Sequence, residues 1–307
     1  MKPENRQHVG PRDVVLAAHP GSGTSWIGTL LVHLGVCYVS GEDELLVDRE
    51  SQSTRRVTEK ENRPLPGAAD GPRHHLGIHA QLDHLPALRD RDKERTPWRE
   101  PLRVIKTNGS ATVWTPPCRV LFLVRDGRDA VLSLYHANVN FSGLEVPLLD
   151  FLTGNGGAWV PPAVSWGFAC MSWMATPRES LHILKFETCK ERPLEEFRSM
   201  LAFLGVSRTD DEIRAAIDAS SYDAMRRQES SEMQEHGERI GSGHVMRRGT
   251  VGQWREVYTD EMLGTFAGMP RRTLAMLGYS VDAIPHPPAS GGASPSGRIS
   301  RGSDGRQ

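Results

Sequence analysis

The sequence predicts an α/β protein with a central parallel sheet flanked by helices, and three observations carry that prediction. Four short apolar runs read as buried strands: 13–18 (DVVLAA), 102–105 (LRVI), 119–124 (RVLFLV) and 181–186 (LHILKF). They are continuous rather than alternating, as strands covered on both faces are, and helical patterns separate them. The first and third run directly into Gly-, Ser- or Arg-bearing turns that open helices. Such turns at strand carboxyl ends are where open α/β sheets bind ligands.

The helical elements follow from apolar spacing, at 24–34, 127–138, 162–175, 194–204, 210–219 and 259–276. The start at 210 is marked by Thr209 and Glu212, which form an S/T-x-x-E capping box. Trp159, Trp166 and Trp173 recur every seven residues and so share one helical face, which reads as core packing, with a wall of a ligand pocket as the alternative. Residues 1–285 form a single domain on this reading, with an excursion at 48–75 that is rich in charge, Pro and Gly. The segment 286–307 has only Ala289, Ala293 and Ile299 as apolar side chains, too few to offset the entropy of ordering it, and is expected to be a disordered tail.

Composition narrows the function. A chain of 307 residues with 38% hydrophobic and 24% charged residues can bury a sizeable core. A net charge of −1 argues against a dedicated nucleic-acid binder. Cys37, Cys118, Cys170 and Cys189 lie far apart with no C-x-x-C pair, so reduced thiols are expected rather than a zinc site or a disulfide framework. No apolar run reaches membrane-spanning length, and the polar start MKPENRQHVGPRD lacks a signal-peptide core. A cytoplasmic protein without membrane partners is expected.

Three stretches carry chemistry. The first is His19-Pro20-Gly21-Ser22-Gly23-Thr24-Ser25, a Gly/Ser/Thr loop between strand and helix. Backbone N–H groups and the helix dipole favour an oxyanion there, although the loop lacks the lysine of the nucleotide pattern G-x-x-x-x-G-K-[ST]. On the loop alone, a phosphate cradle and a plain Gly-rich turn with an N-capping hydroxyl both remain open. The second is "RVLFLVRDGRDAVLSLYHA", 119–137. Arg125 stands at a strand's carboxyl end with a guanidinium suited to phosphate, and Ser133 lies two turns into the next helix. The alternative pairs Arg125 and Arg128 with Asp126 and Asp129 in a surface ion-pair cluster. The third is "HVMRRGTVGQW", 244–254, where Arg247, Arg248 and Gly249 make a basic loop that also fits an ordinary solvated turn.

Taken in order, these stretches resemble the PAPS-dependent sulfotransferase family, PAPS being 3′-phosphoadenosine 5′-phosphosulfate. The likeness spans about 13–265. The opening loop resembles the family's Y-P-K-S-G-T-T-W, "VRDGRDAVLSLYH" its V-A-R-N-P-K-D-V-A-V-S-Y-Y-H, and "RRGTVGQW" its R-K-G-x-x-G-D-W. "ILKFET" and "SSYDAM" echo L-x-Y-E-D and T-S-F-E-x-M. The resemblance implies a P-loop-like sulfotransferase fold. It assigns Gly21, Ser22, Gly23, Thr24, Ser25 and Trp26 to the 5′ end of PAPS, and Arg125 and Ser133 to the 3′-phosphate. Arg247, Arg248 and Gly249 close over that phosphate, while Tyr222 and Trp26 stack on the adenine. The implied reaction moves a sulfonate to the hydroxyl of a small-molecule or glycosylated metabolite, in secondary metabolism, releasing PAP and needing no metal.

Two positions depart from the family pattern. The loop lysine is Gly21, and the K-T-H element reads Lys106-Thr107-Asn108. An asparagine cannot serve as general base near neutral pH. Lys106 stays available to neutralise charge on the transferred group. Replacement bases are sought in Glu42, Asp43 and Glu44, and in His79 and His84. The alternatives are the same fold redirected to another phosphorylated substrate, a nucleotide-dependent kinase, and a non-catalytic PAPS or PAP binder. The short dimer motif of the family is absent from 255–285, which leaves the oligomeric state open.

Overall fold

The computed structural model describes residues 3–40, 44–46, 54–56, 102–142, 144–155, 160–227 and 249–284. Its strands are β1 (Val14–Ala18), β2 (Cys37–Ser40), β3 (Glu44–Leu46), β4 (Thr54–Arg56), β5 (Arg103–Thr107), β6 (Arg119–Val124) and β7 (Leu181–Lys185). The main sheet has the order β2-β5-β1-β6-β7 with every neighbouring pair parallel, while β3 and β4 form a separate antiparallel pair. All five side chains of β1 and of β5 are buried, which is why their sequences show no polar alternation.

The helices in chain order are α1 (Pro3–Arg6), α2 (Thr24–His33), α3 (Gly127–Ser142), α4 (Leu148–Thr153), α5 (Pro162–Met174), α6 (Phe186–Glu191), α7 (Pro193–Leu204) and α8 (Asp210–Ala219). Then follow α9 (Trp254–Val257), α10 (Asp260–Gly264) and α11 (Met269–Met276), and residues 222–227 are also helical. Two cores sandwich the sheet. One joins Leu16, Ala18 and Val104 to α2, α7 and α8; the other joins Val15, Ala17 and Ile105 to α3, α4, α5 and the carboxyl-terminal helices. Successive strand residues thus feed opposite layers, as the pleat requires. At the amino ends of β1 and β5, Arg103 grips Asp13 with two hydrogen bonds, Nε to Oδ1 at 3.1 Å and a terminal nitrogen to Oδ2 at 2.9 Å.

Several expectations are corrected. The segment Cys37–Ser40 is the edge strand β2, starting just past Gly35, whose φ of +73° ends the α2 turn. The helix expected over 259–276 is two helices. Gly268 has φ +72°, and Pro270 opens the first turn of α11, so the chain turns at 265–268. The capping box is present: Glu212 N–H donates to Thr209 Oγ1 at 3.3 Å and Thr209 N–H to Glu212 Oε2 at 2.9 Å. Trp166 and Trp173 are buried in the α5 layer, and Trp159 lies outside the described residues. So do the segment 286–307 and most of 48–75, within which Thr54–Arg56 is strand.

The topology separates two neighbouring strand exits. β1 and β6 are neighbours, yet α2 leaves β1 on one face and α3 leaves β6 on the other. The chain therefore parts above the carboxyl ends of these two strands and opens a crevice there.

Candidate active site

The loop leaving β1 is shaped by close approach. Gly21 has φ +85°, and a Cβ placed on it would lie 2.2 Å from the Ala130 carbonyl oxygen of α3. Gly23 is the N-cap of α2 at φ +101° and contributes no side chain to the first-turn N–H groups. With no acidic residue in that turn, the end of α2 is an amide-lined, electropositive cradle. Ser22 is 1% exposed, and its Oγ has no hydrogen-bond partner among the described residues. Such a buried orphan hydroxyl is costly unless a ligand satisfies it. His19 precedes the loop and is buried, its Nδ1 donating to the Pro20 carbonyl at 2.8 Å. Burial lowers its pKa to about 4, so the imidazole is neutral around pH 7.

The opposite wall comes from the turn after β6. The ion pairs expected there exist, but they are buried rather than at the surface. Arg128 pairs with Asp126 at 2.6 Å, stacks 3.8 Å from the Trp254 ring centroid and is 1% exposed. Asp126 Oδ1 also accepts from the Arg128 N–H at 3.0 Å and so caps α3. Arg125 donates to the carbonyls of Gly21 at 3.1 Å and Thr250 at 2.9 Å, tying the first loop to the last. Its charge lies 3.8 Å from Asp129 Oδ2, and its Nε has no hydrogen-bond partner among the described residues. Asp129 in turn accepts from Gly252 N–H at 2.6 Å and Trp254 N–H at 3.0 Å, which fixes the late glycine loop against α3.

These walls enclose a cleft of about 990 Å3, counting the open solvent at its mouth. Gly21, Gly23, Thr24, Ser25, Trp26, Arg125, Ser133, Tyr222 and Gly249 line it, so four distant segments meet as the sequence reading requires. Trp26 packs edge-on against Phe186 and Phe197, with centroids 5.4 and 5.6 Å apart. Phe186 and Lys190 also line the cleft and were not expected from the sequence, nor was Asp129. Lys190 belongs to a charge-dense stretch, CKERPLEE, that reads as solvated surface. Only its helical position five residues after β7 brings it inward.

Lys106 and Asn108 do not line this cleft. Lys106 is 1% exposed near the carboxyl end of β5, in register with Leu16 of β1 and Ser40 of β2. It shares the face of Val104 and Leu16, on which α2 packs. The turn that follows is held by α5: Trp173 Nε1 donates to the Gly109 carbonyl at 2.8 Å, and Ala111 N–H to Ser172 Oγ at 3.0 Å. Glu42, Asp43, His79, His84, Arg247 and Arg248 lie outside the described residues. Among the described residues no group of three or more His, Cys, Asp or Glu side chains is placed to hold a metal ion. None of the helices among them is long and apolar enough to cross a membrane.

The sulfotransferase family model, described as "Sulfotransferase domain", matches residues 11–278. The chain belongs to the sulfotransferase family. Sulfotransferase 1B1 of Mus musculus is 23% identical over 285 residues, covering 86% of this chain and 83% of that protein. Sulfotransferase 1E1 of Bos taurus is 22% identical over 260 residues, covering 81% and 79%. A crystal structure of retinol dehydratase in a complex with retinol and PAP superposes with a TM-score of 0.57 at 17% identity, over 88% of this chain and 84% of that one. Mouse sulfotransferase SULT7A1 complexed with PAP gives 0.53 at 17% identity, over 84% and 83%. These likenesses show the sulfotransferase fold, a parallel sheet flanked by helices.

Proposed function

We propose that this sulfotransferase-family protein is a PAPS-dependent enzyme that transfers a sulfonate group to the hydroxyl of a small-molecule acceptor. The observation that carries the reading is the convergence of the Gly21–Trp26 loop, Arg125, Ser133, Tyr222 and Gly249 on one cleft. The residues present also fit the nucleotide. The uncapped α2 terminus and the orphan Ser22 hydroxyl suit the phosphosulfate end, and Arg125 with its spare Nε suits a phosphate. Trp26 and Tyr222 offer ring faces for the base.

Bound PAPS supplies an activated sulfonate, and the protein's residues do the rest. The amides of α2 and the hydroxyls of Ser22, Thr24 and Ser25 orient the 5′ end. Arg125, Ser133 and Gly249, with Arg247 and Arg248, hold the 3′ end. Lys106, buried on the face that α2 covers rather than in the cleft wall, is the cation assigned to the transferring end, since position 21 carries no side chain. Asn108 can orient a hydroxyl but cannot take its proton, so the base falls to Glu42 or His79 on this reading.

Calorimetry with PAP and ATP tests the reading. PAP is expected to bind and ATP to bind more weakly, with PAP affinity lowered at least about tenfold in an Arg125→Ala/Arg248→Ala double variant. Preference for ATP would overturn the assignment in favour of kinase-like use. Transfer of labelled sulfonate from PAPS to a panel of phenols and alcohols separates an enzyme from a silent binder. Full activity in both Glu42→Ala and His79→Ala would remove each as sole base.

A further inference from the structure

The cleft contains a cation that the roles above leave unused. Lys190 lines it from α6, with Nζ 3.9 Å from the Trp26 ring centroid and 5.5 Å from that of Phe186. A Cβ placed on Gly249 would lie 3.9 Å from Lys190 Nζ and 3.7 Å from Tyr222 Cδ2. The ammonium therefore sits where Trp26, Tyr222 and the late glycine loop meet. Its pKa is lowered, first by burial and then by the charge of Arg125, with Cys189 opposing weakly. No carboxylate lies within ion-pair distance of it among the described residues, so its aromatic neighbours are what hold it.

Arg125 faces the same ring, with Cζ 4.5 Å from the Phe186 centroid. Its charge is partly offset by Asp129, 3.8 Å away, and two of its nitrogens already serve backbone carbonyls. A phosphate monoester carries nearly two negative charges near neutral pH. Among the described residues that line the cleft, Arg125 and Lys190 are the cations and Asp129 is the carboxylate.

We propose that Lys190 is a further cation of a phosphomonoester subsite shared with Arg125, and that it sets the preference of the cleft for a nucleotide with a 3′-phosphate over one without. The inference rests on the PAPS reading and names a residue that reading does not contain. The Lys190 stem is flexible, and its ammonium now rests on the Trp26 face assigned to the base. Binding therefore exchanges an ammonium for an adenine on that face, and the ammonium moves to the phosphate.

The test is calorimetric titration of PAP and of 5′-AMP into the full chain and into Lys190→Met and Lys190→Arg. Unfolding midpoints without nucleotide verify that each variant folds. Wild type is expected to bind PAP more tightly than AMP. In Lys190→Met, PAP affinity should fall about ten- to hundredfold while AMP affinity changes by less than about threefold. Lys190→Arg should keep most of the preference. Equal losses for PAP and AMP would overturn the proposal and make Lys190 a support of the base platform, and unchanged PAP affinity would overturn it outright. If wild type itself shows no preference for PAP, the PAPS reading fails and this one falls with it. A wild-type preference that survives in Lys190→Met sinks the Lys190 assignment alone.

Discussion

The φ of +85° at Gly21 and the 2.2 Å between a Cβ placed there and the Ala130 carbonyl oxygen act together. The first penalises any L side chain, and the second requires the loop to leave α3. A lysine placed at this position would meet the same obstacle, because the loop rests directly on the helix backbone. Gly21→Ala is expected to cost about 2 kcal/mol or more in urea unfolding. Gly21→Lys should be destabilised at least as much and should not raise sulfonate transfer; a lysine variant with wild-type stability would show that the loop can lift. His19, two residues earlier, makes a prediction about pH. Its folded pKa of about 4 lies below the ordinary 6.5, so between these values the unfolded chain binds the extra proton. Stability is therefore lost as pH falls from 6.5 toward 4, by about 2 kcal/mol at pH 5 from this group. Urea unfolding of His19→Gln at pH 7.5 and pH 5 should show a shallower loss than wild type, and equal losses would sink the assignment.

The carboxylate of Asp129 organises a whole element, because it receives the N–H groups of both Gly252 and Trp254 from 123 and 125 residues away. Truncating it leaves two donors unsatisfied, the Trp254 N–H buried and the Gly252 N–H half-buried, and removes the carboxylate that pairs with Arg125. Asp129→Ala is expected to cost about 3 kcal/mol and to free the late loop. Hydrogen exchange should accelerate at 249–257 while the amides of α2 stay protected; a uniform rise would mean that the effect is global. This clamp also marks what the sequence could and could not disclose. The strands of the sheet centre were legible because complete burial leaves continuous apolar runs, and the cradle was legible because Gly21, Gly23 and Arg125 sit at strand exits. β2 escaped because four residues at a sheet edge form too short a run to stand out beside α2. The break at Gly268 escaped because the apolar spacing carries on through it. Asp129 and Lys190 escaped for a different reason: each has charged neighbours in sequence that suggest local pairing or solvent. Their further partners, the Gly252 and Trp254 amides and the Trp26 ring, come from distant segments that meet only when the sheet is assembled.

On the scale of the molecule, the cleft sits where two separate cores part, with α2 anchored in one and α3 in the other. A ligand that touches both loops stabilises the relative placement of the two layers and so raises the stability of the whole domain. At a PAP concentration one hundred times its dissociation constant, the gain is about 2.7 kcal/mol. The source of that gain is local. The chain as a whole carries only −1, yet Arg125 and Lys190 face the same cleft, where Asp129 is the lining carboxylate among the described residues. Attraction of a multiply charged nucleotide to an open, solvent-connected cleft is screened by salt, whereas the buried Arg103–Asp13 and Arg128–Asp126 pairs are screened far less. Raising sodium chloride from 0.05 to about 0.5 M should therefore weaken PAP binding severalfold and shrink the ligand-induced shift of the unfolding midpoint at fixed PAP. The midpoint of the nucleotide-free protein should move little over the same range. Parallel decline of the free and PAP-bound midpoints would instead place the salt-sensitive charges in the fold itself, outside the cleft.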